Sequence, residues 1–195
     1  MSYIDQLLSR FSTDSLDEPA PNSEQLHTIL STAMRAPDHG RLRPWRFAVI
    51  EGEHRQSWAE TVQNVLSASD DNFPPEYVQK VARLFSIMPM TIVLGMRKQT
   101  ENTKIPLNEQ LMATSAAVMN VLNGLHAMGF SGKWVTGPIN NPKLQNILGM
   151  EEPYSLLGFL FVGTPAPNVK APQRVAIDDY VTFWRGTPVK FKADI

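Results

Sequence analysis

The chain has 195 residues, 43% of them apolar, and its 18 Lys and Arg stand against 19 Asp and Glu for a net charge of -1. That length suits one domain over residues 1–195, able to bury about 70% of its unfolded surface, and the near-neutral balance lacks the global positive field of a nucleic-acid binder. Cysteine is absent, no apolar run reaches membrane-spanning length, and the first six residues lack a charged start followed by an apolar stretch, so a soluble cytoplasmic protein with no membrane partner is expected.

Ile4, Leu7, Leu8 and Phe11 fall at helical spacing, and this opening helix should end near Arg10-Phe11-Ser12. Asp17 to Pro21 form a break. Asn22 or Ser23 can cap a second helix whose Leu26, Ile29, Leu30, Ala33 and Met34 make an apolar stripe. Pro37 stops it by disfavouring helical geometry at Ala36. A cationic turn follows, Arg35-Ala36-Pro37-Asp38-His39-Gly40-Arg41-Leu42-Arg43-Pro44-Trp45-Arg46-Phe47, and opens a strand over 45–50. The planar donor fork of arginine matches phosphate bidentately, so a bound anion is the first expectation for this loop.

Trp58, Thr61, Val62, Val65 and Ala68 mark a third helix, and Pro74-Pro75-Glu76 begins a fourth. Met90 to Leu94 is a continuous apolar run that suits a strand covered on both faces. The longest helical pattern, about Leu107 to Met128, places Leu111, Ser115, Val118, Leu122 and Leu125 along one side, and its middle is small and uncharged. Such a helix is buried on most faces, in a large core or against another subunit. Gly129 to Pro138 sets three glycines in one turn-and-strand segment, where backbone can approach a ligand. Asn141-Pro142 starts a short helix closed by Gly149, Ser155 to Val162 is another buried strand, and a proline-rich excursion from Thr164 to Pro172 precedes Arg174 to Trp184.

Other chemical signatures are missing. There is no phosphate loop ending in Gly-Lys-Ser or Gly-Lys-Thr, no Gly-x-Gly-x-x-Gly after a strand and no Gly-x-Ser-x-Gly elbow, and His27, His54 and His126 lack metal-ligand spacing. Taken alone, Arg10 reads equally well as a cation favoured by the helix dipole, His39 as a turn residue and Trp134 as interface packing.

The unit from Arg35 to Phe47 resembles the pattern of FMN-dependent nitroreductases, Ala-Pro-Ser, a few residues, then Gln-Pro-Trp. Its Asp-His version is closest to the YdjA-like NAD(P)H nitroreductases. The helix ending in Arg10-Phe11-Ser12, the Gly129 to Gly137 run and the terminal Arg174 to Trp184 stretch agree in order and spacing. The resemblance implies an α+β fold of three α-β-α layers, with a mixed, mostly antiparallel central sheet and an intertwined homodimer that shares two flavin sites. By position, Arg10, Phe11 and Ser12 match the segment holding the FMN phosphate and ribityl chain. Arg35 and His39 match FMN contacts, His39 from the partner subunit. Trp134, Val135 and Thr136 match the stretch along the isoalloxazine ring, and Arg174 a second phosphate-binding cation. Arg41 and Arg43 stand where the family has a frequent asparagine and its usual glutamine, placed to stabilise negative charge on the ring.

The resemblance implies an NAD(P)H-dependent FMN oxidoreductase with ping-pong kinetics. NADH or NADPH docks transiently, hands its hydride to the flavin and leaves, and a nitroaromatic, quinone or similar electron-poor molecule takes its place. No side chain need act as acid, and no metal is expected. Dehalogenation, flavin breakdown, substrate dehydrogenation or flavin binding without turnover are the alternatives on this fold.

Overall fold

The structure, a computed structural model, describes residues 2–137 and 141–194. Two of its strands decide the rest. β3 (Met90–Arg97) and β5 (Tyr154–Pro165) pair antiparallel, Met90 opposite Val162 and Val93 opposite Phe159. Both are buried almost throughout, so their side chains alternate between two cores. Met90, Ile92, Leu94, Leu160 and Val162 point into one. Val93, Phe159 and Phe161 point into the other.

Helices close each core. α2 (Ser23–Ala33) and α5 (Leu107–Ala127) cover the first, and α3 (His54–Ser67) with α4 (Pro75–Ile87) cover the second. The result is the three-layer α-β-α arrangement expected. β2 (Trp45–Glu51) extends the sheet beyond β3, while β4 (Ser131–Val135) and the two-residue β1 (Leu16–Asp17) pair with successive parts of β5. Every strand pairing among the described residues is antiparallel. α1 (Tyr3–Ser9) and α6 (Pro142–Ile147) complete the chain order.

The expected elements are present with a few differences. α2 is capped by Asn22, whose side chain accepts from the Gln25 N–H while Gln25 reaches back to the Asn22 N–H. The expected break at Asp17 instead includes β1, because Leu16 and Asp17 pair with Pro165 and Thr164 at the far end of β5. β5 accordingly runs to Pro165 rather than stopping at Val162. Pro138 of the glycine-rich run lies outside the described residues.

The inner face of α5 also differs. Gln110, Ala113, Thr114, Ala117, Val118, Val121, Leu122 and Leu125 are buried, whereas Leu111 is 43% exposed. Leu111, Met112 and Met119 face out, as do Tyr3, Ile4 and Leu8 of α1. Beyond β5 the chain is an exposed arm carrying Val175, Ile177, Phe183 and Trp184 on its surface.

Phe159 is fully buried, with its ring 4.9 Å from Phe85 at 82° and 6.1 Å from Trp58. Replacement by alanine removes edge contacts and opens a cavity between β5 and two helices. Phe159→Ala should destabilise the fold by about 3–5 kcal/mol, read as a lower urea midpoint.

Candidate functional site

The first part of the site is built where α1 ends. A capping box between Ser2 and Asp5 starts this short helix, and the Ser9 hydroxyl, 2.9 Å from His126 Nε2, ties its end to the last turn of α5. Arg10 leaves the helix with extended geometry, φ -61 and ψ 133. The following residues run beside β4, where Ser131 Oγ donates to the Phe11 carbonyl at 3.3 Å and Lys133 pairs with Asp14.

A second cation arrives from the terminal arm. Arg174 Nη2 donates to the Arg10 carbonyl at 2.7 Å. The Arg10 guanidinium is held below its ordinary pKa, first by burial and then by the like charge of Arg174. Its Nε is buried with no acceptor. Among the described residues neither arginine forms a salt bridge. An orphaned buried donor beside two repelling charges is unfavourable unless an anion joins them. Ser12 is exposed next to this corner. Arg10, Ser12 and Arg174 therefore fit a phosphate by their donor chemistry.

The cationic turn is held from beneath by a polar network that the sequence did not reveal. Gln110, 2% exposed, accepts from the Gln99 N–H at 3.0 Å and donates to the carbonyls of Gln99 and Ile105. Gln99 Nε2 in turn donates to the Leu42 carbonyl at 2.9 Å. Asp38 accepts from the Arg43 N–H at 2.7 Å, and His39 Nδ1 lies 2.7 Å from Glu109 at the start of α5. Gly40, at φ +69, passes so close to Ile105 that a Cβ would stand 2.3 Å from its Cδ1.

Arg41 and Arg43 adopt φ +54 and +50, a left-handed geometry uncommon outside glycine. They border a cavity of about 270 Å³ with Met34, Ala36, Asp38 and Trp45. The side chains of Arg35, Arg41 and Arg43 form no salt bridge among the described residues, and all three residues are exposed.

The third part is the end of β4. Trp134 Nε1 donates to the Leu157 carbonyl at 3.1 Å, and the indole covers Gly158, where a Cβ would lie 2.4 Å from Nε1. The indole nitrogen is thus held by its own sheet, while the residue stays half-buried. Val135 is half-buried and Thr136 exposed beyond it. Tyr77 of α4 stands beside Gly137, and Lys80, one turn on, acts electrostatically on Asp14. The pairing of Asp14 with Lys133 was not legible from the sequence, since it comes only from tertiary packing. Tyr77 and Lys80, by contrast, lie in the segment Asp70 to Phe85, whose aromatics the sequence reading expects to line the entrance and set specificity.

The structure brings Arg10, Phe11 and Arg174 together beside Ser131, the first residue of β4, and ties His39 to the opposite end of α5 from the one that holds Ser9. Glu109 and His126, which anchor His39 and Ser9, are 17 residues apart on α5, about 25 Å at 1.5 Å per residue.

A family model described as the nitroreductase family matches residues 7–164. An Escherichia coli K12 protein, provisionally named NAD(P)H nitroreductase YdjA, is 36% identical over 185 residues, which cover 94% of this chain and 98% of the relative. A solved nitroreductase-like family protein from Bacillus cereus superposes with a TM-score of 0.82 at 21% identity, covering 95% of this chain and 97% of that one. The NADPH:FMN oxidoreductase of Vibrio harveyi, solved with NAD+, gives 0.73 at 15% identity over 96% and 79% of the two chains. Three of the four segments that carried the resemblance, Arg10 to Ser12, Arg35 to Phe47 and Gly129 to Gly137, fall within residues 7–164.

The Lys133 hydrogen bond is the main reason that the Asp14 carboxyl lies below its ordinary 3.8, against an opposing contribution from partial burial. A depressed folded pKa contributes stability above the unfolded value and loses it as pH falls through the folded one. Both partners are well solvated, so Asp14→Asn should cost less than about 1 kcal/mol at neutral pH. Urea midpoints of parent and variant should converge as the pH is lowered below the ordinary carboxylate range.

Proposed function

This chain belongs to the nitroreductase family, and on that premise we propose that it is a homodimeric FMN oxidoreductase. It takes electrons from NADH or NADPH and passes them to small electron-poor acceptors, nitroaromatics and quinones among them, by a ping-pong sequence. One observation carries the reading: Arg10 and Arg174 converge with a buried, acceptor-less Nε and no carboxylate between them.

FMN, when bound, supplies a centre that accepts and releases hydride. The chain does the rest. Arg10, Arg174 and the Ser12 hydroxyl hold the phosphate through charge-assisted bonds. Phe11 continues along the ribityl chain, and the backbone of Trp134, Val135 and Thr136 lies against the ring, with the Trp134 indole fixing that strand rather than meeting the cofactor. Arg35 and His39, on one cationic turn, reach the cofactor from the partner subunit, a reading supported by the separation of Glu109 from His126 along α5. Arg41 and Arg43 bring positive charge toward the ring end, where it favours the reduced form.

The shared site needs a second copy, and the surface supports one. Leu111, Met112 and Met119 on α5, Tyr3, Ile4 and Leu8 on α1, and Phe183 and Trp184 on the arm are exposed large apolar residues that a partner could cover. A second chain whose arm crosses this face would bury it.

Purified protein should be yellow and release FMN on denaturation. Anaerobic addition of NADH or NADPH should bleach it, and a quinone or nitroaromatic should restore the colour. Protein that binds no added FMN would sink the proposal. Arg10→Ala should weaken FMN binding more than about tenfold in titrations of apoprotein, with folding intact.

Subunit mixing tests the shared site. Arg10→Ala and His39→Ala homodimers, each with empty sites, should regain activity when their subunits exchange, because one hybrid site carries both lesions and the other carries none. Verified exchange without recovery would assign both residues to one chain.

A further inference from the structure

α4 turns one face toward the corner where β4 ends. Tyr77 and Lys80 lie one turn apart on that face; Lys80 influences Asp14, and the Tyr77 hydroxyl is 3.8 Å from where a Cβ of Gly137 would sit. Gly137 directly follows Thr136, the last of the three residues expected along the flavin ring. The Phe73 ring stacks on Tyr77, with centroids 5.2 Å apart and planes inclined by 27°.

The stack is rigid by construction. Pro74 occupies the N-cap of α4 and Pro75 its first turn, and the Tyr77 N–H donates to the Pro74 carbonyl at 2.9 Å, so the chain between the two rings has little freedom. Yet the Tyr77 hydroxyl has no hydrogen-bond partner among the described residues. The hydroxyl is not among the buried polar atoms left unpaired, so it is open to solvent and available to a ligand. Both residues are half-buried, open on one side. The linker just before Phe73 also lines a cavity of about 310 Å³, between Ala68–Asp71 and Asn141–Lys143.

We propose that Tyr77, braced by Phe73, orients the acceptor: the rings wall the ring end of the site, and the phenol donates a hydrogen bond to a nitro or quinone oxygen. This rests on the cofactor placement proposed above. In the reduction of a quinone, a hydride equivalent from the reduced cofactor and a proton from water add to the acceptor to give hydroquinone. The negative charge that grows on the acceptor's oxygen strengthens the bond from Tyr77, which keeps its own proton. Specificity for planar acceptors bearing oxygen then comes from a residue outside the cofactor-holding set.

Tyr77→Phe and Phe73→Leu holoproteins test this with menadione and ferricyanide as oxidants, alongside FMN titration of the apoproteins. Tyr77→Phe should raise the menadione Kd of the oxidised holoprotein, read from perturbation of flavin absorbance, and lower kcat/KM for menadione by roughly tenfold. Ferricyanide, which needs neither stacking nor that hydrogen bond, should be reduced within about twofold of the parent rate, and FMN affinity should be unchanged. Phe73→Leu should weaken menadione in the same direction through loss of the brace.

Parent-like menadione binding and turnover in Tyr77→Phe would overturn the proposal. An equal fall with ferricyanide, or weaker FMN binding, would also overturn it by making Tyr77 a cofactor ligand. A parent protein that holds no FMN would instead fail at the cofactor reading, and the inference would fall with it.

Discussion

The pairing of β3 with β5 places consecutive residues of both strands between two helical layers, so each residue has one side on which it can be accommodated. A slip by one residue would turn Val93, Phe159 and Phe161 toward α5 and send Met90, Ile92 and Leu160 toward α3 and α4. The register changes at Leu94 and Gly95, where Gly95 lies under the Met150 sulfur with no room for a Cβ. β4 takes its place from the same β5, and with it come the Trp134 indole over Gly158 and the Arg10 to Asp14 segment beside Ser131 and Lys133. The corner at Arg10 is a consequence of the central pairing rather than an independent loop.

Against this well-satisfied frame, the unfavourable features are concentrated. Arg10 is partly desolvated beside a like charge, its Nε is buried without an acceptor, and Arg41 and Arg43 hold left-handed backbone. The left-handed backbone at Arg41 and Arg43 costs on the order of 1–3 kcal/mol for each residue. Gln110, by contrast, satisfies its buried amide completely and supports the turn that carries the strain. Stability is abundant where it positions the site and scarce where a ligand would supply what is missing.

Periodicity made the helices and buried strands legible, because continuous apolar runs and i, i+3, i+4 stripes are local properties. It did not reveal which stripe of α5 faces its own core. Leu111 and Leu125 are equally apolar, and only the tertiary placement of Gln110 and Ala113 against the sheet turns Leu111 outward. β1 is too short to have a period and exists because Thr164 and Pro165 reach it. Within the site, the cationic turn and Arg10 could be read from composition and family pattern. The bond from Arg174 to Arg10 spans 164 residues of sequence, and the approach of Tyr77 to Gly137 depends on how α4 docks. Contacts of that range leave no local trace.

The length of α5 also shapes how binding and assembly must relate on the proposed reading. One end of the helix fixes the segment that would hold the phosphate, through Ser9 and His126, and the other fixes His39 through Glu109. A helix of 21 residues is about 30 Å long, so the two segments it anchors lie far apart along one chain. Two antiparallel copies would instead set the phosphate corner of each beside the cationic turn of the other. The cofactor then contacts both chains, and by linkage its binding stabilises the dimer as much as dimer formation strengthens its binding. On that proposal, association with FMN and a second copy would satisfy both the unpaired arginines and the exposed apolar residues.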